Sequence, residues 1–478
     1  MDRSQSKIPL FEALLAHSKK SRHSFHVPGH KNGTLLPEAA KECYRSLLSL
    51  DVTELSGLDD LHHPSGVIKE AEDLAAKLYR SDRCFFLVGG STVGNLAMIK
   101  ATCKEGDTVL VQRNSHKSIL NGLRLAKVHP IFIQPQFDIE AQIATCLEEE
   151  NVIKTIKKFS NAKAIIITNP NYYGYTISLQ KIVAEAHKYN IAVLVDEAHG
   201  AHFGHRSNFF PKSAVEYGAD IVVQSAHKTL PAMTMGSYLH FNSKLVNIEK
   251  LAFYLQVLQS SSPSYPLMAS LDLARYFLAN VTEAQLTETV KSIKAFKNGL
   301  NNIPQLKVIE NDSYEIDRLK VTVQSNCPLN GFQLQKLLEE EGIYTELADP
   351  YNILFVMPLI TTSDVLIVAK KIKQKLKEFP VYHQMNKMET NLETRVTSLQ
   401  LSYKKMDEIE KEMVPLEKSI GKVISEEIIP YPPGVPILLS GEKIEEGHLK
   451  ILADLKKSGA HFQGTDVFES GVKVFKNK

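Results

Sequence analysis

Between residues 84 and 195, compact apolar runs alternate with helical segments, and this alternation leaves very few architectures open. The runs at 84–88, 108–112, 130–133, 164–168 and 191–195 are rich in Val, Ile, Phe and Leu and show little polar alternation. Strands that are apolar on both faces have to be covered on both faces. The intervening segments 92–102, 116–126 and 179–189 have helical spacing. Buried strands interleaved with helices predict an α/β domain with a mostly parallel sheet. Sheets of this kind bind ligands beyond the carboxyl ends of their strands.

The residues at those ends carry the chemistry. The 84–88 run enters Gly89-Gly90-Ser91-Thr92 and then a helix. Glycines permit close backbone approach, Ser91 or Thr92 can cap the helix, and a helix N-terminus attracts an anion. The stretch is either a phosphate cradle or a structural glycine turn. His116, in Arg113-Asn-Ser-His-Lys-Ser118, either begins the next helix or stacks on a planar ligand. The run at 191–195 ends in Asp196-Glu-Ala-His199. A carboxylate at a buried strand end is costly without a cationic partner, which an ordinary salt bridge or a protonated ring nitrogen would provide. The same tetrapeptide occurs in DEAH-box helicases, but the phosphate-binding G-x-x-x-x-G-K-[ST] loop occurs nowhere in this chain.

A further β-branched run, 221–223, delivers Ser225, His227 and Lys228 together. An amine near its ordinary pKa of about 10.4 is a poor nucleophile at neutral pH, and partial burial suits it to Schiff-base chemistry. Lys228 is therefore the first candidate for holding a carbonyl cofactor. His199, His202 and His205 are spaced as a metal triplet would be, but the spacing does not put them on one helical face and Gly200 and Gly204 mark a loop. No metal is expected.

The chain has 478 residues, more than one core usually serves, so two or three domains are expected. After residue 265 longer helices at 267–278 and 283–300 and shorter strands at 306–309, 319–323 and 353–357 predict a second, smaller α+β unit. From about 381 the sequence turns Met-, Lys- and Glu-rich and reads as helical until Tyr431-Pro-Pro-Gly-Val-Pro436. At the other end, 9–20 reads as an amphipathic arm, followed by the loop His26-Val-Pro-Gly-His-Lys-Asn-Gly33, dense in titratable groups. Lys plus Arg number 56 against 54 Asp plus Glu, which gives no electrostatic case for nucleic acid. The five cysteines show no C-x-x-C pairing, and no stretch approaches the roughly 20 apolar residues of a membrane span. A cytoplasmic protein with reduced thiols and a small-molecule ligand is expected.

Taken together, these stretches resemble the ornithine/lysine/arginine decarboxylases, pyridoxal-phosphate enzymes of fold type I, and most of all their arginine-type bacterial members. The resemblance is carried by His26–Lys31, Leu58-Asp-Asp-Leu-His-His-Pro64, Arg113–Ser118, Asp196–Gly200, Ser225–Lys228 and Tyr431–Pro436, in that order. It implies an aspartate-aminotransferase-like large domain at 61–275 after an arm and loop at 1–60, a small α+β domain at 276–380 and the family's C-terminal α+β domain at 381–478. It also implies pyridoxal 5'-phosphate held as a Schiff base on Lys228, with Asp196 on the pyridinium nitrogen, His116 on the ring face and His199 near the phenolic oxygen. Gly90, Ser91, Thr92, Ser225 and His227 would hold the phosphate, and Lys228 or His227 would return a proton to Cα. Gly90 stands where relatives often have threonine. His30, Glu346 and Asp349 are the candidate substrate contacts. The activity implied is decarboxylation of arginine, lysine or ornithine to agmatine, cadaverine or putrescine, in polyamine biosynthesis, by a homodimer or larger homo-oligomer. The readings held beside it are another fold-type-I reaction such as transamination, and a silent cofactor-binding paralogue.

Overall fold

The structure, a computed structural model, describes residues 3–20, 23–205, 207–361, 364–382, 396–431, 434–464 and 466–476. Contacts divide the chain into two units. One gathers residues from 1–102, 192–208 and 212–283, and the other gathers those from 103–191, 209–211 and 284–478.

The first unit holds four adjacent strands in the order Arg83–Leu87, Ser237–Phe241, Ile221–Gln224, Ala192–Asp196. The last two are parallel, with Asp196 opposite Val223, and Ser237–Phe241 runs against both of its neighbours. Three of the four strands therefore point the same way, as their apolar character predicts. The reversed strand, Ser-Tyr-Leu-His-Phe, has no uninterrupted apolar run and escapes that reading. It follows Ile221–Gln224 after a connection whose regular structure is the four-residue helix Ala226–Thr229, too little for the usual parallel crossover.

The helix Gly90–Thr102 lies directly on these strands. A Cβ at Gly94 would come within 2.8 Å of the Leu87 and Val223 side chains, so only glycine permits that approach. Gly90 has φ +75, a conformation that disfavours residues with a Cβ, and its N–H donates to the Met235 carbonyl at 2.9 Å. That accounts locally for glycine at this position. Helix Val67–Tyr79 is held at its start by Asp59, whose carboxylate accepts from the N–H groups of Ser65, Gly66, Ile68 and Lys69. The arm forms helix Pro9–Ser18. The fully buried Arg275 guanidinium anchors the residues before it, donating to Asp272 and to the carbonyls of Gln5 and Lys7.

In the second unit, Ala164–Thr168, Thr108–Gln112 and His129–Ile133 are parallel neighbours, and Val396–Ser398 pairs antiparallel with the last. A separate antiparallel sheet has the order Leu306–Val308, Lys320–Ser325, Asn352–Val356, Leu347–Ala348, and helices Glu283–Asn301, Gly331–Glu339 and Val365–Leu376 belong to the same unit. Near the C-terminus, Leu416, Ile424, Ile428, Leu438, Leu452, Val472 and Val474 form a core beside helix Glu446–Lys457.

The helical expectation beyond 381 is only partly testable, because 383–395 lie outside the described residues, as do Pro432 and Pro433 of the Tyr431–Pro436 motif. Between 396 and 431 the chain forms short strands and turns around the single α-helix Tyr403–Glu408. Pro415 and the left-handed Gly421 (φ +84) interrupt any longer helix there. The five cysteines are free thiols, Cys43 exposed and the others buried. Among the described residues no helix is long and apolar enough to cross a membrane.

Candidate active site

The strand ends of the first unit converge on a polar cluster. Ser91, in the first turn of Gly90–Thr102, places its Oγ 2.6 Å from Ser225 Oγ and 3.3 Å from Ser237 Oγ. All three serines are buried, and Thr92 beside them is exposed. The first-turn N–H groups of a helix lack intrahelical acceptors and carry its positive end. Three hydroxyls beside such a terminus make a cradle for an anion.

Asp196 closes the Ala192–Asp196 strand and is only 2% exposed. Its Oδ2 accepts from Asn95 Nδ2 at 3.0 Å and its Oδ1 from the Ala198 N–H at 3.2 Å. Among the described residues no Lys, Arg or His forms an ion pair with it. The carboxylate is thus oriented by neutral donors but not neutralised. Asn95 lies five residues into the helix that carries Ser91, so one helix contacts both the hydroxyl cluster and the acid.

Lys228 lies in the short helix Ala226–Thr229, half-buried, with Nζ 3.0 Å from Nε2 of the buried His199. His227 donates from Nδ1 to the Gly236 carbonyl at 3.1 Å, which fixes its tautomer and leaves Nε2 as the site that gains or loses a proton. Ser91, Asp196, His199, Ser225, His227 and Lys228 therefore all belong to one unit and are tied by a short chain of contacts.

The other candidates belong to the second unit or serve the local fold. His116, in the second unit, is the N-cap of helix Lys117–Ala126, and its Nδ1 accepts from the Ser118 N–H at 3.2 Å. His30, in the first unit, accepts at Nδ1 from the Gly33 N–H and pairs through Nε2 with Asp51 at 3.1 Å. Both of its ring nitrogens are engaged, Nδ1 within its own loop and Nε2 by Asp51 beyond helix Glu38–Leu48. In the second unit Asp349 is buried, and its carboxylate accepts from Tyr173 Oη, Asn352 Nδ2 and the N–H groups of Tyr351 and Asn352. Burial raises its pKa. Glu346 is exposed and has no side-chain partner among the described residues. His202 packs edge-on against Phe203 and His205 bonds the Val281 carbonyl.

Three residues escape a reading of strand ends. Ser237 is on the reversed strand, and Asn95 is the only amide in a largely apolar helix, the one signal that could have marked it. Glu197 directly follows Asp196, is 0% exposed, and has its carboxyl pushed up to about 8 by burial.

The model for the Orn/Lys/Arg decarboxylase major domain matches residues 8–317, and the model for the family's C-terminal domain matches 382–477. The chain belongs to the Orn/Lys/Arg decarboxylase family. Among its relatives, an uncharacterized Bacillus subtilis protein, YaaO, is 44% identical over 461 residues, covering 95% of this chain and 96% of its own. The arginine decarboxylase of Bacillus anthracis is 34% identical over 477 residues, 97% of this chain and 96% of its own. The fold matches the solved lysine decarboxylase of Francisella novicida at a TM-score of 0.81 and 21% identity, over 99% of this chain and 82% of that one. As a member of this family the chain is a decarboxylase with the pyridoxal-phosphate fold type I architecture, and its cofactor is pyridoxal 5'-phosphate.

The residues present fit that cofactor. The buried Asp196 carboxylate, held by an amide and a backbone N–H and without an ion-pair partner among the described residues, is suited to a protonated ring nitrogen. The serine cluster at the helix start suits a phosphate, and Lys228 suits an aldehyde.

Proposed function

We propose that this decarboxylase acts on a basic L-amino acid, releasing carbon dioxide and the corresponding amine: agmatine from arginine, cadaverine from lysine or putrescine from ornithine. The observation that carries the site assignment is Asp196, a buried carboxylate provided with neutral donors and no ion-pair partner among the described residues, in the same unit as Lys228. Pyridoxal 5'-phosphate, when bound, supplies an electron-withdrawing ring conjugated with the substrate amine, which accepts the electron pair released as the carboxylate departs.

Lys228 Nζ would hold the cofactor through its aldehyde, the half-buried amine next to His199 being suited to that bond. Asp196 keeps the proton on the ring nitrogen, and Asn95 holds the Asp196 carboxylate in place. Ser91 and Ser225 donate hydroxyls to the phosphate, joined by Thr92 at the helix N-terminus. Gly90 contributes the left-handed turn that starts that helix, since its own N–H is used by Met235. His199 would lie near the phenolic oxygen and His116 would stack on the ring, its imidazole held by Ser118. The proton that replaces carbon dioxide at Cα comes from Lys228 Nζ or His227 Nε2. His227 Nε2 donates to the phosphate only when protonated, because its Nδ1–H is committed to Gly236.

Among the distal contacts, Glu346 is favoured for the substrate cation, since its carboxylate has no partner among the described residues whereas that of Asp349 is saturated by Tyr173 and Asn352. His30 acts by shaping its loop. Arginine is the favoured substrate, supported by the name of the 34% identical relative that spans nearly the whole chain. The amine formed belongs to polyamine biosynthesis, in the cytoplasm. A homodimer or a larger homo-oligomer is expected, supported by helix Glu38–Leu48, which buries no residue within its own chain, and by the exposed Phe25, Val27, Leu35 and Tyr44 nearby in sequence.

A panel of carboxyl-labelled arginine, lysine and ornithine tests the reading. Labelled carbon dioxide is expected from at least one, and from arginine most rapidly. Protein that holds the cofactor and releases nothing from all three would refute it.

A further inference from the structure

On the reverse side of the strand ends that carry the site lies a second polar network, which the mechanism does not use. Side chains alternate along a strand, so residues adjacent to Asp196 and Ser225 face away from them. Those neighbours are Glu197 and Gln224, and they meet. Gln224 Nε2 donates to Glu197 Oε2 at 2.5 Å, while Gln224 Oε1 accepts from His240 Nε2 at 3.1 Å. His240 Nδ1 in turn lies 3.3 Å from Ser81 Oγ. Glu197 also accepts from Ser213 Oγ and from the Ala214 N–H, each at 2.7 Å. Glu197, Gln224, Ser213 and His240 are all at most 2% exposed.

The direction of this relay follows from the chemistry of its members. Gln224 turns its amide N–H₂ toward Glu197 and its carbonyl toward His240. His240 then has to carry its proton on Nε2 and accept from Ser81 at Nδ1. The neutral ring required is the one that burial favours, pushing its pKa down to about 3. One acid thus sets the orientation of the amide and the ring beyond it.

We propose that Glu197 and Gln224 are positioning residues, whose side-chain bond fixes Asp196 and Ser225 relative to one another. Asp196 precedes Glu197 and Ser225 follows Gln224, so a bond between the two middle residues sets the spacing between the ring acid and a phosphate hydroxyl. The backbone ladder supports the same spacing, through Glu197 N–H to Val223 O at 2.9 Å and Ser225 N–H to Ala198 O at 3.3 Å. The side-chain bond adds the element that a substitution can reverse. The inference rests on the site reading given above.

A swap of the two residues tests it, using the holoenzyme. Glu197→Gln leaves an amide N–H₂ facing a donor in either orientation, Gln224 Nε2 in one and the Ala214 N–H in the other, and Gln224→Glu sets two carboxyls together. Each is expected to weaken pyridoxal 5'-phosphate binding and to lower kcat by about tenfold or more, with little change in KM, as misplacement of reacting groups does. The double variant Glu197→Gln/Gln224→Glu restores an amide facing a carboxyl and still offers His240 an acceptor. It is expected to recover cofactor affinity and kcat to within about threefold of wild type, which a merely space-filling role would not produce. Single variants that match wild type in both quantities, or a double variant as impaired as the two single losses combined, would overturn the inference, provided that Asp196→Asn impairs the enzyme. A wild-type protein that holds no cofactor, or an Asp196→Asn protein equal to wild type, would instead overturn the site reading and the inference with it.

Discussion

Glu72 shows how a single buried carboxyl imposes pH dependence on the fold. Its Oε1 accepts from the Phe86 N–H at 2.9 Å, its Oε2 has no partner among the described residues, and burial pushes its pKa up to about 8 from an ordinary 4.5. Glu197 is displaced in the same direction to about 8, although three donors oppose the shift. Between pH 4.5 and 8 the folded chain binds protons at these sites that the unfolded chain has released. Stability contributed by the protonated forms is therefore complete below about pH 4.5 and is lost as the pH rises toward 8, with a limiting slope of about 1.4 kcal/mol per pH unit for each group. Glu72→Gln is predicted to flatten this slope by one group's share, measured by urea unfolding at pH 5, 6.5 and 8. An unchanged slope would show that Glu72 is ionised in the folded chain.

At the scale of elements, Arg113 shows how a motif residue can serve packing instead of chemistry. It follows the Thr108–Gln112 strand, donates from Nε and Nη2 to both Glu442 oxygens at 3.0 and 2.8 Å, and donates to the carbonyls of Pro436 and Ile437. Both side chains are largely buried, so Arg113→Ala leaves the Glu442 carboxylate without its cation. The predicted loss is about 3–5 kcal/mol of stability, read as a lowered unfolding midpoint in urea, with Glu442→Gln costing less. The apolar runs made the strands and their carboxyl ends legible, and through them Ser225, His227, Lys228 and Asp196, because burial on both faces leaves a signal in each strand by itself. Asn95 and Ser237 were not legible in this way. Asn95 meets Asp196 across 101 positions of sequence, and Ser237 meets Ser91 across 146. Such contacts depend on which elements become neighbours, and no local periodicity encodes that. The reversed strand Ser237–Phe241 was missed for a related reason, since its polar Ser237 and His240 face the cluster and the relay.

Helix Glu38–Leu48 and the exposed Phe25, Val27, Leu35 and Tyr44 leave apolar surface uncovered within one chain. Burial of such surface drives association, so sedimentation at micromolar concentration is predicted to show at least two chains per particle; a single chain would contradict it. The central claim is that Lys228 holds the cofactor. It is tested most directly by borohydride fixation of the holoenzyme, proteolysis, and mass identification of the peptide that carries the pyridoxyl group. The account predicts one labelled site, at Lys228, and no such label in a Lys228→Ala protein. A label on another lysine, or equal labelling of the Lys228→Ala protein, would contradict it.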